Sequence, residues 1–168
     1  MHTATTTRTK AIFPGILLLF LSACTTTLAP PYDQAIMDGL NDANANLMVF
    51  FASTTSGTSP QSFDEREERY NTLIGSLDAL VIQSRARPMP KNDITEAVNA
   101  FLEKRGAPSL VGGEAPSASA IAKISETMTK MRDTDKKQGV TAFEVSAFRG
   151  QVVIYLDQAL TYETFLKR

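Results

Sequence analysis

The chain contains no tryptophan, one histidine (His2) and one cysteine (Cys24). With so little imidazole and thiol, histidine-based triads, zinc held by His or His/Cys, and haem held by histidine have no base or ligand set to draw on. A phosphate loop is missing too, because "VGGEAPS" from Val111 to Ser117 is followed by neither Lys-Thr nor Lys-Ser. Positive charge is not in surplus: 17 Lys and Arg stand against 18 Asp and Glu, which argues against nucleic acid as a partner. Nor is there a long hydrophobic run. The apolar stretch from Ala11 to Leu21 is about eleven residues and is broken by Pro14 and Gly15, whereas a bilayer-crossing helix needs roughly 20. Carboxylates, Lys, Arg, Tyr, Ser and Thr are the chemistry that remains.

At the start of the chain, Arg8 and Lys10 are the only charged side chains ahead of that apolar run, the pattern of a basic n-region and an h-region. Leu21-Ser22-Ala23-Cys24 then resembles the lipobox of bacterial lipoprotein precursors. The resemblance covers about the first 25 residues and implies cleavage before Cys24, with lipid carried on that cysteine. A lone Cys in an exported protein would otherwise be a reactive liability in an oxidising compartment. The three acyl chains the resemblance implies exceed the two signals that stable membrane residence requires. Thr25 stands after Cys24 where Asp would retain a lipoprotein in the inner membrane, so the resemblance implies the outer membrane, facing the periplasm. Residues 1–23 are therefore expected to be a cleaved signal, 24–31 the lipidated Cys and a Pro-ended tether, and 32–168 one domain. Cleavage leaves 145 of the 168 residues, enough for one core, and takes His2, Arg8 and Lys10 with it. Fifteen basic residues then face 18 acidic ones, a side-chain balance of −3.

Beyond the tether the apolar spacing is helical. Tyr32, Ile36, Leu40, Ala43, Leu47 and Phe50 recur at threes and fours, predicting a helix to about Ser53, with Asp38, Asn41, Asp42 and Asn44 on its other side. After the loop "STTSGTSPQ", a second helix is expected from Ser62, as N-cap of a capping box with Glu65, to "SRARPMP", where Pro88 forbids continuation. A short helix from about Asn92 to Lys104 and an irregular connection from Arg105 to Ser119 follow. A fourth helix spans about Ser119–Asp133 and carries Ile121, Ile124, Met128 and Met131. The last, about Thr141–Leu166, has Val145, Phe148, Val152, Tyr155, Ala159 and Tyr162 on one stripe, widened by Phe143, Val153, Ile154, Leu156 and Leu160. A helix apolar on more than one side is usually surrounded by others, so it is expected at the bundle's centre. The fold class is all-α: a bundle of four long helices plus one short, up-and-down in topology.

Candidate sites are few. "SFDEREERYN" could in principle supply a glycosidase carboxylate pair, but at helical spacing it reads as a solvated first turn with Glu65 and Arg69 four apart. Asp38, Asn41, Asp42, Asn44 and Asn46 lack the ligand order of a Ca²⁺ loop, and no metal or cofactor is expected. Met128 and Met131 read as core. "LMVFF" is more apolar than one stripe requires: Phe50 and Phe51 read either as core covered by an adjacent helix or as a partner-binding ridge, and Arg85 and Arg87 either as cations completing the helix C-terminus or as groups that a partner could engage. The functional expectation is a lipid-anchored envelope protein of Gram-negative type that acts without catalysis, as an interaction, scaffold or inhibitor component docking an envelope protein. The alternative is a small-ligand binder or carboxylate-only hydrolase with its site between helices.

Overall fold

The computed structural model describes residues 29–90, 114–168 and part of the stretch 96–105. The first helix, α1, spans Gln34–Ser53, with the Asp33 carboxylate accepting from the Ala35 N–H at its start. Its end is closed by hydroxyls: Ser53, Thr54 and Thr55 donate to the carbonyls of Phe50, Phe51 and Ala52, groups a helix end leaves without partners. A 3₁₀ turn, Pro60–Ser62, leads into α2, Asp64–Ala86. The expected capping box at Ser62 and Glu65 does not form. Ser59 caps the 3₁₀ turn, and Ser62 is instead engaged by the Arg66 side chain, because the preceding Pro60 sets a tighter turn that shifts the helix start to Asp64.

The third helix, α3, spans Pro116–Gln138 and begins three residues ahead of the expected Ser119. Pro116 sits in its first turn, where a missing N–H costs nothing. The last, α4, spans Ala142–Leu166 and opens with a capping box in which Thr141 and Glu144 exchange hydrogen bonds. Most of the short helix expected at Asn92–Lys104, and residues 106–113 of the connection after it, lie outside the described residues.

The four helices form a ring. Each packs on its sequence neighbours, and α4 closes against α1, with no diagonal pair among the described residues. Because α1 rises from Gln34 to the loop at 54–63, and Ser84 of α2 meets Ser117 of α3 beside Arg87 and Glu163, the chain runs up, down, up, down. The base holds residue 29, the start of α3 and the end of α4. The top holds the 54–63 and 139–141 turns. Ile36, Leu40, Leu47, Leu77, Ile121, Ile124, Met128, Met131, Val152 and Leu156 fill the interior, and an aromatic group of Phe50, Phe51, Phe63 and Tyr70 closes its upper end.

The last helix is not at the centre. In a ring of four, every helix keeps one side outward, and of the residues that widen the α4 stripe Phe143, Val153 and Ile154 lie there, whereas Leu156 is buried and Leu160 packs against the core. The helix with the widest buried arc is α3, from Ser117 through Ile121, Ser125 and Met128 to Asp135. Its Ser and Ala positions let α2 and α4 approach from both sides.

Candidate interaction surfaces and buried polar clusters

Two ion pairs join helices at opposite ends of the bundle. At the top, Asp135 of α3 is fully buried and accepts from Arg66 Nε and Nη2 at 2.9 Å each, from Thr58 Oγ1 at 2.7 Å and from the Tyr70 hydroxyl at 3.2 Å. Arg66 spends its remaining N–H groups on the Ser62 carbonyl and hydroxyl and the Ser59 carbonyl, so all five guanidinium donors are placed. The hydrogen bond to Asp135 holds the guanidinium above its ordinary pKa. Burial, and then the neighbouring Asp135 charge, raises the Tyr70 phenol well above its own. The Thr58 N–H also donates to the Val140 carbonyl and its hydroxyl accepts from the Val140 N–H, which locks the two top turns together.

An open cleft of about 530 Å³ lies over this joint, lined in part by Ser53, Ser56, Ser59, Ser62, Gln138 and Thr141. Its hydroxyls give it the look of a ligand site. Most of them are already committed, however: Ser53 to a helix carbonyl, Ser59 to Gln61, Ser62 to Arg66 and Ser59, and Thr141 to Glu144. A ligand would have to break the joint to use them.

At the base, the guanidinium of Arg87 forks onto Glu163, with Nη1 to Oε2 at 2.9 Å and Nη2 to Oε1 at 2.5 Å, while Nη2 also reaches Ser84 and Ser117. Glu163 is fully buried and Arg87 nearly so. Arg87 Nε has no hydrogen-bond partner among the described residues. Beside this cluster an apolar groove of about 550 Å³ is lined by Pro30, Pro31, Tyr32, Met89, Phe165 and Leu166.

The expected partner-binding residues separate. Phe50 and Phe51 are 0% and 1% exposed, so the core reading holds and the ridge does not. Phe50 packs edge-on against Tyr70 at 4.6 Å, and the returning 54–63 turn with Phe63 widens the covered arc enough to take the adjacent Phe51 as well. Arg87 is turned inward to Glu163 and is not offered to a partner. Arg85 alone is exposed, 2.8 Å from Glu114. Cys24 lies outside the described residues. Met128 and Met131 are core, as expected. The acidic cluster is solvated in part only, since Arg66 within it reaches the interior.

A surface not expected from the spacing lies along the outward side of α4. Phe143, Ile154 and Phe165 are 83%, 58% and 55% exposed, with Val153 beside them at 43%. Between Phe143 and Phe165 the exposed residues of α4 include only two charges, Arg149 and Asp157. The outward side of α2, by contrast, carries Asp64, Glu65, Glu68, Arg69, Asp78 and Arg85. Depletion of charge together with exposed aromatics marks the core of protein interfaces. The available signal was an eleven-residue spacing, 143, 154 and 165, which returns to one helix face after about three turns.

Comparison with protein-family models, curated proteins and solved structures returns no match.

Proposed function

We propose that the chain is a lipid-anchored envelope protein of Gram-negative type, held by Cys24 in the outer membrane and facing the periplasm, that works without catalysis as an interaction, scaffold or inhibitor component. Its docking surface is the outward face of α4. The observation that carries this reading is the charge-poor strip from Phe143 through Ile154 to Phe165, whereas α1 and α2 each expose a single large apolar side chain, Val49 and Ile82, among polar or charged ones. The base groove around Pro30 and Phe165 adds support, because it brings the tether to the end of the same helix.

The test has two parts. Cys24→Ser should abolish palmitate incorporation; continued labelling removes the anchor. A photoreactive residue in place of Phe143, Ile154 or Phe165 should form a discrete protein adduct in intact cells, while one in place of Gln83 on α2 should not. Equal yields from both helices overturn docking through α4.

A further inference from the structure

We infer that the occupant of the α4 face is a second copy of this chain, paired in parallel about a two-fold axis along the helix. The inference rests on the anchored reading above and names the partner for the same surface.

Helix geometry makes the strip self-complementary. At about 100° per residue, Phe143 and Phe165 each fall about 20° from Ile154, on opposite sides of it, so the three form one nearly straight line. An eleven-residue repeat keeps such a line in contact over its whole length when the two helices wind about each other with a right-handed sense. Ala147 and Gly150 lie on the same line, and a Cβ added at Gly150 would meet nothing within 4 Å, so a neighbouring helix can come close there. In a parallel pair, each of Phe143, Ile154 and Phe165 faces its own counterpart.

Charge placement agrees at Asp157. Asp157 sits about 60° to one side of Ile154 and Gln158 about 40° to the other. A parallel two-fold therefore sets Asp157 of one copy beside Gln158 of the second copy, an acceptor against an amide donor, and keeps the two Asp157 carboxylates on opposite edges. Like charges approach each other at the lower end, where the Arg168 guanidinium lies 5.2 Å over the Phe165 ring.

The anchor decides the direction. From Cys24 to Ala29 the chain can reach at most about 18 Å, while α4, with 25 residues, is about 37 Å long. An antiparallel pair aligned along α4 would lift one copy's base about that far from the membrane, beyond its tether. Two anchored copies thus bring their α4 helices together in the same sense. Size also bears on the matter. The strip is roughly 33 Å long and about one helix wide, burying on the order of 700 Å² over both copies, short of the ~1,200 Å² of a stable interface. Pairing is then weak in free solution and depends on the local concentration that sharing a membrane provides.

Full-length chains carrying F143C, I154C or F165C, oxidised in intact cells, test this directly. Each variant should give a disulfide-linked dimer on a non-reducing gel, at least about tenfold above the wild-type chain and above Q83C. Adding Ile154→Asp to F143C should reduce its band by a similar factor. Dimers from I154C alone, with F143C and F165C linking only to each other when co-expressed, overturn the parallel pairing. If none of the three links while a photoreactive probe at position 154 captures a different envelope protein, the second copy is ruled out and docking through α4 survives. If neither a dimer nor an adduct forms, both readings fail together.

Discussion

At the scale of single residues, Asp135 has the largest consequence. It is buried and collects four hydrogen bonds from three side chains on two other segments. Removing one partner of a buried pair leaves the other charge without compensation, at a cost of about 3–5 kcal/mol. Asp135→Ala should therefore lower the urea midpoint far more than Tyr70→Phe, which removes one hydrogen bond worth about 1 kcal/mol. The phenol makes a separate prediction in pH. Its pKa in the folded chain is raised by burial and by Asp135, above the ~10 of an unfolded tyrosine. That contribution is fully present below about pH 10 and is lost as pH rises toward the folded value. Stability should fall above about pH 10, and Tyr70→Phe should flatten the fall; an unchanged alkaline limb would move its cause elsewhere. None of this was legible in the sequence. Arg66 and Asp135 stand 69 residues apart, and Arg87 and Glu163 stand 76 apart, so pairing rules for charges three or four residues apart cannot find them. "SFDEREERYN" reads as a solvated turn because only one of its charges points inward.

At the scale of elements, the helices were legible because apolar residues at threes and fours mark a buried face whatever covers it. Their ends were less so. The start of α2 moved from Ser62 to Asp64, and α3 gained its first turn at Pro116, since caps depend on turn geometry that periodicity does not encode. The turn between α3 and α4 is the tightest joint. Gly139 has φ 77°, and a Cβ there would meet the Thr58 carbonyl oxygen at 2.5 Å. Gly139→Ala should thus cost more than the ~1–3 kcal/mol of an alanine held in this glycine-only backbone region, because the top turns must separate as well. Gly75, in the middle of α2, has open space at its Cβ, and Gly75→Ala should stabilise by up to about 1 kcal/mol. Denaturant melts of the two variants should move in opposite directions. If both destabilise, the packing at one of the two sites differs from that described.

At the scale of the whole molecule, the surplus apolar character of the chain is divided between two places that spacing alone could not separate. "LMVFF" and the widened stripe of α4 are both richer than a single helix face needs. The first surplus is absorbed, because the 54–63 turn and α2 fold over the end of α1 and enclose Phe50 and Phe51 beside Phe63 and Tyr70. The second is not, because in a ring of four helices nothing among the described residues covers the outward side of α4. The two surfaces should therefore respond oppositely to the same substitution. Phe51→Asp places an unpaired carboxylate in the core, and a buried charge with no partner is among the few changes that exceed 4–5 kcal/mol. It should abolish cooperative unfolding and reduce helical circular dichroism. Ile154→Asp adds a carboxylate where the side chain is already more than half exposed, and surface changes of that kind usually stay within about ±0.5 kcal/mol. Its circular dichroism and melting midpoint should match those of the wild-type chain, while cross-linking through α4 is lost. A folded Phe51→Asp would return the ridge to the surface. An unfolded Ile154→Asp would make the outward face of α4 part of the core and leave the chain without the interface proposed for it.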